Sequence, residues 1–349
     1  MKFLDLFSGI GGFRLGLESA GHECVGFCEI DKFARASYKA IHNTEGEFEF
    51  HDITQVSDED WRKFRGTVDI ICGGFPCQAF SIAGKREGFL DETRGTLFFE
   101  IARAAKEIKP PLLFLENVKG LLSHDKGRTF RTILSTLDEL GYDAEWQILN
   151  SKDYGVPQNR ERVFIIGHLR GKCGRQVFPI RGDGTAIDCE QPKINKVGNI
   201  RKNGKSQSGI VVSTDSLAPT LCSTTTQKDP LKVAIPIKTD TAQYRHGIVI
   251  AGNLPGLYEQ SGRVYDTNGI SPTIRTMQGG GLEPKICVRE ATNFRIRKLT
   301  PRECWRLQGF PDWAFDKAQE VNSNSQLYKQ AGNSVTVNVI KVIAERLDK

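Results

Sequence analysis

The 349-residue sequence has no apolar run approaching the roughly 18 residues that cross a bilayer, so no membrane-spanning segment is expected. Its N-terminus, Met-Lys-Phe-Leu-Asp-Leu-Phe, meets an acid at position 5, which breaks the apolar core of a signal peptide and reads instead as a first strand. Metal-type cysteine spacing is also missing. The nine cysteines, at 24, 28, 72, 77, 173, 189, 222, 287 and 304, form no C-x2-C pair, and no histidine stands at ligand spacing from a cysteine pair. That argues against a zinc site, and no metal is expected. An odd, scattered set fits free thiols in a reducing cytoplasm. Aromatic residues thin out between 170 and 290, where only Phe178, Tyr244, Tyr258 and Tyr265 occur. That segment is rich in Gly, Thr, Ser, Pro and Asn, so short strands and loops are expected there, not a large core.

What is present is a globular composition, with 39% hydrophobic and 26% charged residues. The net charge of +6 is unevenly placed. Residues 170–290 hold 17 Lys and Arg against 10 Asp and Glu, whereas the rest of the chain holds 31 against 32. The basic excess of the middle segment fits a polyanion partner or a solvated basic surface equally well. Residues 1–169 alternate strand and helix patterns. Apolar runs lie at Lys2–Leu6, Glu23–Cys28, Val68–Gly73, Leu112–Glu116, Glu145–Leu149 and Val163–His168, with helical patterns at Phe13–Ala20, Phe33–Ile41, Thr96–Ile108 and Arg128–Leu140. The alternation predicts an α/β domain with a parallel sheet covered on both faces. The middle segment echoes itself: Gly209-Ile-Val-Val…Leu217-Ala-Pro-Thr-Leu221 resembles Gly262-Arg-Val-Tyr…Ile270-Ser-Pro-Thr-Ile274, and Gly198-Asn-Ile resembles Gly252-Asn-Leu, which points to a duplicated unit. Helices return in residues 291–349. Thr300-Pro-Arg-Glu303 carries a capping box, and Val335–Leu347 is an apolar helix that needs a partner surface.

Chemistry-bearing residues fall at strand ends. Asp5-Leu-Phe-Ser-Gly-Ile-Gly-Gly12 runs a strand into a glycine turn that opens a helix, where backbone N–H groups are available to a ligand. Glu29 follows the second strand, as do acids that bind ribose hydroxyls, and Asp52 follows a third and is placed to take an adenine amino group. The glycine spacing departs from G-x-G-x-x-G, which favours a single nucleoside such as S-adenosylmethionine over a dinucleotide. A plain β–α turn with surface acids is the alternative. Cys77, in Gly73-Gly-Phe-Pro-Cys-Gln78, follows a buried run, and Glu116 ends another, on the edge where ligand chemistry in open α/β sheets concentrates. A thiolate and a carboxyl group there suit covalent catalysis with proton transfer, with Arg160 and Arg162 as candidate cations. Each has a bland reading too: a buried small hydrophobe for Cys77, a helix cap for Glu116, ion-pair partners for the arginines.

Taken together, Phe7-Ser-Gly-Ile-Gly-Gly12, Gly74-Phe-Pro-Cys-Gln78, Glu116-Asn-Val118, Gln158-Asn-Arg-Glu-Arg162 and Gly332-Asn-Ser-Val335 resemble, in order, the motifs of the DNA (cytosine-5)-methyltransferases, of the single-domain bacterial or phage type. The resemblance implies a Rossmann-like S-adenosylmethionine-dependent sheet in residues 1–169, a smaller target-recognition domain of strands and loops in 170–290, and a return to the first domain in 291–349. It implies site-specific methylation of cytosine C5 in double-stranded DNA, in a restriction-modification or phage setting. Cys77 would attack C6 of a flipped-out cytosine, Glu116 would act at N3, and Arg162, beside Arg160, would support base and thiolate. The cofactor pocket implied is Phe7, Ser8, Gly9, Ile10, Gly11, Gly12, Glu29, Ile30, Asp52, Ile53, Pro76, Leu97, Asn333 and Val335. Ile30 stands where relatives often carry an aromatic. Residues 79–95, with glycines 84, 88 and 95, suit a mobile lid, and Gln78, Ser81, Lys85 and Arg86 suit contacts to DNA. Arg263, Tyr265, Thr273, Arg275 and Gln278 are candidates for further DNA contact, each repeat copy reading part of one site. A monomer and a cognate restriction endonuclease sharing the target site are the partner expectations. Rival readings are an RNA cytosine-5 methyltransferase of the same chemistry and a non-catalytic DNA-binding relative. The long basic middle segment disfavours the first, and intact Cys77 and Glu116 disfavour the second. A cysteine hydrolase would need a histidine near Cys77, and none of the six lies in these motifs.

Overall fold

Strands buried on both sides read as unbroken apolar runs, and three such runs make the centre of the main sheet: β1 (Lys2–Leu6), β4 (Ile70–Gly74) and β5 (Leu112–Val118). The computed structural model describes residues 1–76, 97–172, 175–182, 196–199, 210–212, 250–253, 263–266, 270–271, 285–290 and 293–347. Around the centre lie β2 (Glu23–Cys28), β3 (Phe48–Phe50), β6 (Tyr142–Asn150) and β7 (Glu161–Leu169), giving the order β3-β2-β1-β4-β5-β7-β6. The order reverses between β1 and β4, where crossovers leave to opposite sides and a crevice opens at the strands' carboxyl ends.

The sheet is not wholly parallel. β7 runs antiparallel to both β5 and β6. The alternation of strands and helices fails here for a local reason: β6 and β7 are joined by residues 151–160, with only a 3-10 turn at Ser151–Tyr154 and no crossover helix, so the chain must reverse. A five-residue helix, α3 (Asp58–Arg62), also escaped the periodicity; Ser57 caps it by accepting from the Asp60 N–H.

Helices cover both faces. α3, α4 (Leu97–Ile108) and α5 (Arg128–Glu139) cover one, burying Leu4, Leu6, Ile71, Leu113 and Ile165 against Trp61, Phe98, Ile101 and Ile133. On the other face Phe3, Ile70, Phe114 and Phe164 meet Phe13 and Leu17 of α1 (Gly12–Ser19) together with Val339, Ile340 and Ile343. α2 (Lys32–Ile41) follows β2.

The middle segment holds short strands, as its composition predicts. β8 (Lys196–Asn199) pairs with β9 (Ile210–Val212), and β10 (Ile250–Asn253), β11 (Arg263–Asp266), β12 (Lys285–Glu290) and β13 (Asn293–Lys298) form a second sheet in that order. Four helices follow: α6 (Pro301–Leu307), α7 (Asp312–Val321), α8 (Asn324–Asn333) and α9 (Val337–Ala344). Thr300 forms the expected capping box with Glu303 on α6. α9, shorter than the apolar pattern suggested, finds its partner surface on α1. Among the described residues no helix is long and apolar enough to cross a membrane.

Gly16 is what lets α1 and α9 approach. A Cβ there would lie 2.6 Å from Ile340 Cβ and Cγ2 and 3.0 Å from the Lys341 nitrogen. Gly16→Val is expected to lower stability by about 1–3 kcal/mol through overpacking. Gly120→Ala, where an added Cβ meets nothing within 4 Å, serves as the control. Urea midpoints check both.

Candidate active site

The turn after β1 is wound tightly. Phe7, Gly9 and Gly11 have φ of 55°, 57° and 84°, and the left-handed value at non-glycine Phe7 places strain where a ligand would sit. The Ser8 N–H donates to the Cys28 carbonyl at 3.0 Å, which ties the turn to the end of β2. Glycine at position 12 is required by a close approach, since a Cβ would come within 2.8 Å of Ser334 Oγ and Val335 Cγ2.

Glu29 is anchored from two sides. Its Oε2 accepts from Gly9 N–H and its Oε1 from Asp31 N–H, both at 2.8 Å. Burial pushes its carboxyl above the usual range while these amides pull the other way. Asp31 caps α2 with Oδ1, accepting from Phe33 and Ala34, and its Oδ2 takes the Lys329 ammonium of α8 at 2.6 Å. Although partial burial pushes Asp31 up, Lys329 and the helix amides hold it below its ordinary value.

The opposite end of the crevice is built from β4, β5 and β7. Arg162 Nε lies 2.9 Å from Glu116 Oε1, both largely buried. The Asn117 amide donates to the Phe75 carbonyl at 2.8 Å and its oxygen accepts from Val118 N–H, which fixes the Phe75-Pro76 turn that leads in sequence to Cys77. Arg160 is 4% exposed and donates through Nη2 to the Ser334 carbonyl at 2.8 Å and to that of Gly332 at 3.4 Å. Burial, reinforced by the neighbouring Arg162 charge and opposed by Glu116, brings its guanidinium down to about 9, so it stays charged at neutral pH.

These groups enclose one cavity of about 450 Å³. Of the expected residues, Phe7, Gly9, Ile10, Glu29, Ile30, Asp52, Ile53, Pro76, Leu97, Glu116, Arg160, Arg162 and Asn333 line it. Ser8, Gly11, Gly12 and Val335 are not among the lining residues. Cys77, Gln78, Ser81, Lys85, Arg86 and the lid stretch lie outside the described residues, as do Thr273, Arg275 and Gln278. Arg263 is buried, and Tyr265 packs against the cluster around Trp305. Asp31, Asn117, Lys329 and Gln330 belong to the site without having been singled out. Asn117 stood inside a recognised motif, whereas Lys329 carries no local signal.

A seven-strand sheet with β7 reversed and a nucleoside-sized crevice at its switch point defines the Rossmann-like S-adenosylmethionine-dependent methyltransferase class. The fold is shared with S. pombe Dnmt2 methyltransferase (TM-score 0.62, 17% identity, 99% of this chain and 98% of that one). It is shared as well with a DNA modification methyltransferase described as putative and encoded within an E. coli prophage (TM-score 0.59, 21% identity, 100% and 98%). The family model for C-5 cytosine-specific DNA methylase matches residues 1–349, and the chain belongs to that family and is a DNA (cytosine-5)-methyltransferase. It is similar to Type II methyltransferase M.HhaI of Haemophilus parahaemolyticus, 40% identical over 346 residues, covering 99% of this chain and 93% of the relative. It is also similar to Type II methyltransferase M.SsoII of Shigella sonnei, 40% identical over 354 residues, covering 99% and 79%.

Behind the glycine turn, Asp5 is fully buried and accepts from the Tyr38 hydroxyl at 3.3 Å and the Cys72 thiol at 3.8 Å. Burial pushes its carboxyl up from 3.8 to about 7. A folded-state value above the unfolded one means that the native state holds the extra proton in between. Stability therefore falls as pH rises from 3.8 to about 7 and levels off above. Asp5→Asn should flatten that fall in urea midpoints measured across the range.

Proposed function

We propose that the enzyme methylates cytosine C5 at a specific site in double-stranded DNA through a covalent adduct of Cys77, with S-adenosylmethionine as methyl donor, in a restriction-modification or phage setting. The observation that carries this reading is the Glu116–Arg162 pair at one end of a cavity whose other end offers Glu29, bonded to the strained glycine turn through Gly9.

The residues present fit the cofactor. Phe7, Ile30 and Ile53 provide apolar walls for a purine, and Ile30 is 70% exposed at the cavity edge, available for cover. Glu29 and Asp52 supply acceptors for hydroxyl and amino groups. Ser8 Oγ and the Nε and Nη1 of Arg160 are buried without a hydrogen-bond partner among the described residues, which fits a polar ligand. When bound, S-adenosylmethionine supplies an electrophilic methyl group.

The chain's own residues prepare the base. A free thiol titrates near ~8.5, so a nearby cation is needed to raise its thiolate fraction. Arg162 and Arg160 provide positive charge beside the Pro76 turn that leads to Cys77. The Cys77 thiolate forms a bond to C6, and the electron pair of the C5–C6 double bond makes C5 nucleophilic toward the methyl group. Glu116, acting at N3, balances the negative charge developing on the ring, and Arg162 holds Glu116 in place. Water takes the C5 proton; the C–H electron pair re-forms the C5–C6 double bond, and the C6–S bond breaks to return Cys77 as its thiolate. The base must leave the stack for either ring face to be reached, at a cost of a few kcal/mol.

Cys77→Ser should nearly abolish methylation while leaving cofactor affinity intact, and Glu116→Gln should lower kcat by roughly 10²–10⁴. Bisulfite sequencing of DNA from an expressing host reads both and reveals the target; substantial residual methylation by Cys77→Ser would reject the nucleophile. Lys329→Met frees Asp31, and through it Glu29, so cofactor affinity by calorimetry should weaken about two- to tenfold with kcat at saturation unchanged. Rescue by Lys329→Arg would tie the loss to the ion pair.

A further inference from the structure

Residues 332–335, where α8 gives way to α9, reach the cavity from the far end of the chain. They supply Gly332, Asn333 and Ser334 to its lining, and the carbonyls of Gly332 and Ser334 take the Arg160 guanidinium. Both flanks of this turn are bonded to one side chain that does not itself line the cavity. Gln308, the residue that closes the carboxyl end of α6, is 0% exposed. Its Nε2 donates to the Ala331 carbonyl at 2.9 Å, and its Oε1 accepts from the Thr336 hydroxyl at 3.0 Å. Its main-chain carbonyl accepts from Val337 N–H at 2.9 Å. Ala331 and Thr336 bracket the turn, so one glutamine sets the separation of its two ends.

The bonds run in only one consistent direction. A carbonyl oxygen only accepts, so the Gln308 amide nitrogen faces Ala331 and its oxygen faces Thr336. The Thr336 hydroxyl therefore donates to Gln308 and accepts from the Ser151 hydroxyl at 2.8 Å. Ser151 in turn gives its N–H to the Arg160 carbonyl at 3.0 Å. The Arg160 guanidinium returns to Gly332 and Ser334, which closes a ring through Gln308, Thr336, Ser151 and Arg160. All four residues are buried. A buried polar group left without its partner is costly, so the ring favours a single arrangement of the turn.

We propose that Gln308 is a positioning residue for the methyl-transfer site: by clamping residues 331 and 336 it sets both the cavity wall at Asn333 and the two carbonyls that hold Arg160. The inference rests on the S-adenosylmethionine reading above. Gln308→Leu keeps much of the volume and removes both side-chain bonds. It should weaken S-adenosylmethionine binding to the DNA-free enzyme, read by calorimetry, by about five- to fiftyfold. KM for S-adenosylmethionine should rise by a similar factor, while KM for duplex DNA stays within about twofold. Thr336→Val removes one arm of the clamp and should weaken binding by about two- to fivefold. The Thr336 side chain caps no helix amide, so this variant is the milder one for folding and tests the clamp independently. Because the two side chains act as one unit, the double variant should bind within about twofold of Gln308→Leu alone. A role in stability alone would lower the urea midpoint and leave the dissociation constant of the folded enzyme unchanged, and that result would overturn the proposal. So would a parallel rise in KM for duplex DNA, or losses that multiply in full in the double variant. Failure of the wild-type enzyme to bind S-adenosylmethionine would instead strike the cofactor reading itself.

Discussion

The Arg160 guanidinium, buried just before β7 and donating to the carbonyls of Gly332 and Ser334, joins this end of the sheet to a segment that arrives 172 to 174 residues later. A guanidinium removed from water needs acceptors, and the return segment supplies two of them, both to Nη2. The same segment places Asn333 in the cavity wall, covers Gly12 with Ser334 and Val335, and delivers Lys329 to Asp31. The cavity therefore comes into being only when residues from both ends of the chain are packed together, and α9 on α1 supplies the apolar part of that packing.

Much of this was legible before any coordinates. β1, β2, β4 and β5 were visible because a strand buried on both faces leaves a run of apolar residues, and Glu29 and Glu116 were visible as acids at the ends of such runs. The turn glycines and the capping box were visible because backbone conformation and helix ends restrict residue choice locally. What stayed hidden is non-local. The direction of β7 depends on how the chain reverses after β6, not on its own composition. Asp31 and Lys329 lie 298 positions apart, and nothing near either announces the other. Asn117 was read as part of a motif, but its task, holding the Phe75 carbonyl, is apparent only once β4 and β5 are neighbours.

The cavity is electrically divided. One end collects acceptors, Glu29 and Asp52, with Asp31 neutralised by its lysine. The other gathers donors, Arg160 and Arg162, around a single carboxylate. This division separates an acceptor-rich region of the cavity from a cation-rich one. Pro76 and Asn117 lie at the boundary, where the chain enters the segment that carries Cys77.

The antiparallel ladder between β5 and β7 has a consequence for how this enzyme can vary. Glu116 faces Phe164, and Arg162 faces Val118, so the acid and the arginine stand two residues apart on one side of the sheet. Side chains on a strand alternate sides, so the pairing imposes a parity on the connection from β6. Lengthening or shortening residues 151–160 while β7 keeps its pairing is tolerable as loop variation, but a single-residue slip of β7 itself would put Glu161 or Val163 where Arg162 stands. The strand that carries the arginine is thereby bound by a count of residues from which the loop before it is free.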